Sequence, residues 1–231
     1  MSDIEIITTS DGSHSLRNKE LNETYHSIHG AVQESVHVFI KNGLMFFEDE
    51  NHPSEIRILE VGFGTGLNAL LTLKHGLGSK LQFHYTSLEA DPITEETILQ
   101  LNYPEILNFA EGTILFQKLH SAGWTQADSV LKNFVLKKQL GRLQDVALGD
   151  EQFDLVYFDA FAPAKQPELW ELGMLKKVEQ SMKPGGVFVT YCAKGQLKRD
   201  LRLLGLRVQT LPGPPGKKEM VRALKCYKEQ L

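Results

Sequence analysis

Hydrophobic and polar positions along the chain fall into two periods. Short apolar runs bounded by Gly, Pro, Asn or Asp recur at 56–61, 83–90, 133–140, 153–160 and 186–191, and runs of that length with such flanks read as buried strands. Between them, apolar residues return every three or four positions, the spacing of a helix with one buried face. Val32, Val36, Phe39 and Ile40 predict a helix over 30–42, and residues 67–74 predict an apolar helix directly after a glycine-rich turn. A further helix is expected to begin after Asp91-Pro92, with the proline in its first turn, and a basic helix over 194–204. From 108 to 131 the pattern is weak and predicts only loop and helix. The turn Pro184-Gly185-Gly186 leads into the fifth run, and "RVQTL" and "RALKCY", joined by a glycine-proline loop, predict an antiparallel pair at a sheet edge.

Alternating strands and helices make the fold α/β, a doubly wound sheet that is mostly parallel with an antiparallel edge strand. Residues 1–53, with short β-like pieces, the turn "SDGSH" and the first helix, form an N-terminal extension packing on a main domain of 54–231.

Composition narrows the classes. The 231 residues are 42% hydrophobic and 23% charged, enough to bury a full core. No apolar run approaches the roughly 18 residues of a membrane span, and no charged-then-apolar leader follows Met1, so a cytoplasmic location without membrane attachment is expected. Cys192 and Cys226 stand in no CxxC spacing and read as reduced. His26, His29 and His37 find no further ligand cluster, so no metal is expected. The net charge of −4 hides an asymmetry: residues 183–231 hold 11 Lys plus Arg against 3 Asp plus Glu, or +8, which leaves −12 for the rest. Such a contrast hints at a face for a polyanion.

The candidate chemistry lies at strand ends. The strand "LVYF" runs straight into Asp159, and ligands of open α/β sheets collect at the carboxyl ends of strands, although Asp at such a place also suits a helix N-cap. Glu60, Gly62, Gly64 and Gly66 form E-x-G-x-G-x-G. A dinucleotide fingerprint needs its third glycine where this chain has Leu67, which counts against NAD. Glu89, 25 residues after Gly64, stands where an acid receives ribose hydroxyls. A nucleoside ligand with no pyrophosphate and a positive charge meets these conditions. S-adenosylmethionine is one, its sulfonium attracted by Glu60 and Asp159. Its decarboxylated form, used for aminopropyl transfer, is an alternative, as is a small-molecule amine methyltransferase. From another class, a non-catalytic RNA- or cofactor-binding module remains open.

The strings "VHVFIKNG", "EVGFGTGLN", "DAFAPAKQPELW" and "GKKEM" resemble the methyltransferase domain of the MnmC-type tRNA 5-methylaminomethyl-2-thiouridine biosynthesis enzymes, over nearly the full length. The third string is the most specific. The resemblance implies a Rossmann-like methyltransferase fold and transfer of a methyl group from S-adenosylmethionine to the aminomethyl group of a wobble uridine in the tRNA anticodon loop. It also implies a separate enzyme that supplies this amine. Cofactor contacts would be Glu60, Gly62, Phe63, Gly64, Thr65, Gly66, Asn68, Glu89, Ala90, Asp159 and Ala160, with Asp159 at the reacting amine as the catalytic residue. Tyr25, Phe161, Pro163, Lys165, Trp170, Lys217 and Lys218 would meet the substrate, the aromatic rings by stacking on a base and the lysines as point charges on phosphate. Where the family pattern has Gly-Asp near the adenine this chain has Gly141-Arg142, with Asp145 close by as a substitute.

Overall fold

The computed structural model describes residues 4–227. The leader forms a small antiparallel sheet of β1 (Ile4–Thr8), β2 (His14–Asn18) and β3 (Glu23–Thr24). A helical segment follows: α1 (Ala31–Ser35), a π-helical stretch (Val36–Met45) and α2 (Phe46–Asn51). This is longer than the helix expected over 30–42, because Gly43 does not end it. A Cβ on Gly43 would lie 2.9 Å from Val189 and 3.4 Å from the Tyr157 ring, so the glycine lets the helix approach the sheet. The buried face is also rotated from expectation, with Glu34 and Ser35 inside and Val32 and Val36 only half-buried.

The apolar runs then build the main sheet. In chain order its parts are β4 (Glu55–Val61), α3 (Leu67–Gly76), β5 (Gln82–Glu89), α4 (Glu95–Leu99), α5 (Tyr103–Leu107), α6 (Gly112–Ser121), β6 (Ala127–Leu131), β7 (Phe134–Leu140) and β8 (Phe153–Phe158). A short 3-10 turn (Pro167–Trp170), α7 (Leu172–Ser181), β9 (Met182–Thr190), α8 (Gly195–Leu203), β10 (Leu206–Pro212) and β11 (Glu219–Lys225) complete it. The strand order is β10-β11-β9-β8-β4-β5-β7-β6. The five central strands run parallel. β11 runs antiparallel to both β9 and β10, and β6 antiparallel to β7.

The parallel centre and the antiparallel β10–β11 pair follow the expected pattern, with three differences. The weak region 108–131 contains a second antiparallel edge, β6, besides α6. The helix expected after Pro92 begins at Glu95, where the Thr94 hydroxyl caps it by accepting the Thr97 N–H. Pro184, Gly185 and Gly186 lie within β9, where the register against β8 shifts between Phe153 and Leu155, so a bulge takes the place of a turn.

Two apolar cores flank the sheet. One joins Phe39, Leu44 and Phe47 of the leader to Ile58, Leu70, Tyr85 and Tyr157. The other packs Val156, Phe158 and Phe188 against Trp170, Leu175, Leu197 and Leu201. Each fully buried side chain of this size contributes roughly 1.5–3 kcal/mol, and a domain's net stability is only ~5–15 kcal/mol. The leader is therefore an integral part of the fold.

Candidate active site

Strand order reverses between β4 and β8, since the chain builds outward from β4 through β5 and β7 and then returns to its other side. Val61 and Phe158 are register partners, so the residues that follow them, Gly62 and Asp159, leave the sheet side by side. The Asp159 N–H donates to the Val61 carbonyl at 3.0 Å, and the N–H groups of Gly62 and Phe63 share the Leu88 carbonyl at 3.0 and 3.1 Å. Gly62 has φ +94°, and a Cβ there would lie 2.7 Å from the Asp159 carbonyl oxygen. Only glycine fits such a turn between three strand ends.

Glu89, at the end of β5, braces this turn. Its carboxylate accepts the Gly64 N–H at 2.8 Å and the Asp91 N–H at 2.9 Å, while burial lifts its pKa above the usual range. Next to it opens a cavity of about 520 Å³, within the range of small-molecule and cofactor sites. Five acids line it, Glu20, Glu89, Asp91, Asp159 and Glu168, against one lysine, Lys165. A cationic ligand is therefore favoured over an anionic one. Tyr25 from the leader and Phe161 from the loop after β8 meet edge to face at 5.0 Å, both on the cavity wall.

Asp159 is half-buried, and the Asn68 side-chain amide donates to its Oδ2 at 2.8 Å. Burial pushes its pKa up to about 7; Glu34 adds to the rise, while the Asn68 bond and Lys217 oppose it. His26 lines the cavity, and its Nε2 lies 2.9 Å from the Thr65 hydroxyl, which also accepts the Tyr103 O–H at 3.1 Å. Burial depresses the His26 pKa to about 4, so this ring is neutral at physiological pH.

Of the residues singled out from sequence, Tyr25, Gly62, Phe63, Gly64, Glu89, Ala90, Asp159, Ala160, Phe161 and Lys165 come together on the cavity wall. Others stand behind it. Glu60 is fully buried, its Oε2 accepting the Ser87 O–H at 2.6 Å and its Oε1 without a hydrogen bond among the described residues. Burial pushes its pKa up to about 8. Thr65 and Asn68 are nearly inaccessible and act through His26 and Asp159, and Gly66 opens α3 at φ +73°.

Outside the lining, Pro163 is half-buried, and Trp170 is buried against Phe158 and donates from Nε1 to the Phe161 carbonyl at 2.8 Å. Lys217 is ion-paired to Glu34, and Lys218 is exposed. Arg142 and Asp145 bond each other at 2.8 Å on an exposed turn that is not part of the cavity lining. His29 packs at Gly216, the His37 ring bonds the Pro212 carbonyl, and no group of three or more metal-ligating side chains gathers among the described residues. No helix among these residues is long and apolar enough to cross a membrane.

Sequence reasoning missed Asn18, Glu20 and Leu21, which reach the cavity from the leader; in the loop after β8 it singled out Phe161, Pro163, Lys165 and Trp170 but not Gln166 and Glu168, which line the cavity. It also missed Glu34 and Tyr191. The leader residues carry no periodic signal because they come from the end of β2 and the short loop after it. Glu34 carried a faint one, an acid within an apolar helical segment.

Comparison with known proteins places this geometry in context. Residues 118–226 match a family described as S-adenosyl-L-methionine-dependent methyltransferase. Over 213 residues the chain is 30% identical to the tRNA 5-methylaminomethyl-2-thiouridine biosynthesis bifunctional protein MnmC of Idiomarina loihiensis, covering 86% of this chain and 35% of that protein. It thus spans about a third of the length of the curated relatives it matches. The crystal structure of MNMC2 from Aquifex aeolicus superposes with a TM-score of 0.79 at 29% identity, covering 100% of this chain and 74% of that one. The CurJ carbon methyltransferase, at a TM-score of 0.52 and 16% identity over 88% of this chain and 57% of that one, is alike in fold alone.

Proposed function

The chain belongs to the S-adenosyl-L-methionine-dependent methyltransferases, and from that premise we propose that it methylates the aminomethyl group of a modified wobble uridine in tRNA. The observation that carries this reading is the acid-rich cavity at the β4 and β8 ends, with Asp159 on its wall and an aromatic pair, Tyr25 and Phe161, beside it.

The residues present fit the cofactor. The Gly62 turn leaves no room even for a Cβ, so a ligand there meets bare backbone, and Glu89 stands at the strand end where ribose hydroxyls are received. Gly62, Phe63, Gly64, Glu89 and Ala90 would hold S-adenosylmethionine, with the lining acids favouring its positive charge. When bound, the cofactor supplies an electrophilic methyl group on a sulfonium.

The chain's own residues then align an amine and exclude water, and alignment contributes on the order of 7–11 kcal/mol in such reactions. An alkyl amine with a pKa of about 10 enters mostly protonated, while desolvation in the cavity favours its neutral, nucleophilic form. Asp159 holds the amine through Oδ1, since Oδ2 already accepts from Asn68. Its carboxylate accepts a hydrogen bond from the neutral amine as the lone pair turns to the methyl group, and the product leaves as a secondary ammonium.

Tyr25 and Phe161 offer aromatic surface to an unstacked base. Lys165 on the cavity wall and the exposed Lys218 would meet phosphate, as point charges. The anticodon loop is the partner, in the cytoplasm, and a separate enzyme supplies the aminomethyl uridine. The test incubates the protein with labelled S-adenosylmethionine and tRNA lacking the final methyl, then identifies the labelled nucleoside. Label in a 5-methylaminomethyl uridine is expected. Cofactor binding without transfer to that tRNA, or transfer only to free amines, would overturn the reading.

A further inference from the structure

We propose that Lys217 is a positioning residue: with Glu34 and Tyr191 it forms a strap that runs from the leader through the β10–β11 loop to the carbonyl of Ala160, fixing the main chain beside Asp159. The proposal rests on the methyl-transfer reading above and assigns a task to residues outside the cavity lining.

The strap is a chain of direct contacts. The Glu34 carboxylate is almost fully buried on α1; its Oε1 accepts the Ser27 N–H at 2.9 Å, and its Oε2 is bonded by the Lys217 ammonium. The same ammonium lies 3.8 Å from the centre of the Tyr191 ring, a cation–π contact. The Tyr191 hydroxyl donates to the Ala160 carbonyl at 2.9 Å. Glu34 and Lys217 are 183 positions apart in sequence, so the pair closes the leader onto the far end of the described chain.

The loop that carries Lys217 is itself held in place. The His37 ring bonds the Pro212 carbonyl at 2.9 Å, and the Lys217 N–H donates to the Pro214 carbonyl at 2.9 Å. Gly216 has φ +83°, and a Cβ there would come within 2.0 Å of the His29 ring. This is a packed clasp. A phosphate drawn to Lys217 would have to displace a buried carboxylate, whose uncompensated charge is costly. The ammonium is therefore committed to the protein.

What the strap holds is the segment after Asp159. The Phe161 N–H donates to the Gln166 side chain at 3.2 Å, and the Phe161 carbonyl accepts from Trp170. Tyr191 supplies the tie nearest the acid. Glu34 and Lys217 also act on Asp159 through charge, in opposite directions. Their pairing keeps these two influences in balance.

The test compares Lys217→Met, Lys217→Arg and Tyr191→Phe with the wild type. For Lys217→Met and Tyr191→Phe, kcat for tRNA methylation should fall about tenfold, as a small misplacement of a reacting group does. The S-adenosylmethionine Kd should stay within about twofold of the wild type, since alignment rather than uniform binding is lost. Lys217→Arg should recover most of kcat. Amide hydrogen exchange at residues 160–166 should quicken in the two impaired variants. Wild-type kcat with unchanged exchange, or a loss confined to cofactor affinity, would overturn the strap. Should Lys217→Met fail to fold, Tyr191→Phe decides, because it keeps the ring and the ion pair and removes only the hydroxyl. If the wild type binds cofactor but methylates no tRNA, the functional reading fails, and exchange at 160–166 alone decides the strap.

Discussion

Glu60 and Asp159 stand near the ends of neighbouring strands and meet different surroundings. Glu60 pairs in register with Ser87 and Tyr157 and points away from the cavity, into the packed interior. Sequence names the acid before the glycine turn but not the face it takes, because one residue of register at a strand end decides between cavity and core. Burial holds the Glu60 pKa at about 8, above the ordinary 4.5. Between those values the folded state keeps a proton that the unfolded chain has released, so stability is highest at the acid end and falls as pH rises to about 8. Asp159 adds a fall of the same sign between 3.8 and about 7. Glu60→Gln should therefore raise the Tm at pH 8.5 by about 5 °C or more, with the gain shrinking toward pH 5; calorimetric scans across pH check this. Asp159 should announce itself on ligand binding. A cation placed beside it lowers its pKa, so S-adenosylmethionine should release about half a proton at pH 7 and almost none at pH 9. Titration calorimetry in buffers of different ionisation enthalpy measures this release, which Asp159→Asn should abolish along with about 100-fold of the turnover.

The glycine turn shows how elements place these residues. Gly62→Ala would set a methyl against the Asp159 carbonyl, a backbone atom with no freedom to yield, at a φ that alanine resists. Cofactor affinity should fall at least about tenfold and the Tm by several degrees, roughly 2–4 °C per kcal/mol lost in a chain of this size. The parallel strands and the turn were legible because β4 and β8 are buried over most of their length and are dominated by apolar residues, from Ile56 to Val61 and from Leu155 to Phe158. β6 was not, since it is an edge strand with only Val130 buried. Its polar alternation looks like loop. The helix was expected to end at 42, but Gly43 continues it and allows close approach to Val189, which only the packed sheet reveals. The cavity was legible at strand ends, while from the leader the sequence named Tyr25 through resemblance but not Asn18, Glu20 and Leu21, which reach the cavity through tertiary packing.

Across the molecule, the positive segment 183–231 is less free than its sum suggests. Lys183 pairs with Asp154, Lys198 with Glu219, Lys225 with Glu179, and the Arg222 guanidinium lies over Phe46. Lys194, Arg199, Arg202, Arg207 and Lys218 remain exposed, three of them on or beside α8, which begins at the same sheet rim as the loop after Asp159. If this face follows the tRNA backbone, Arg199→Glu with Arg202→Glu should weaken tRNA binding at least about tenfold and flatten the slope of log K against log salt by about 2. S-adenosylmethionine binding should not change. Filter binding across a salt series, with calorimetry for the cofactor, separates the two.

The position of β11 bears on how the molecule is made. It follows β10 in the chain yet lies between β9 and β10, so during synthesis β9 waits with a bare edge and β10 emerges with no neighbour to pair with. A nascent polypeptide halted before Glu219 should accordingly be open to protease and prone to clumping, and should lose both traits once the next seven residues clear the ribosome.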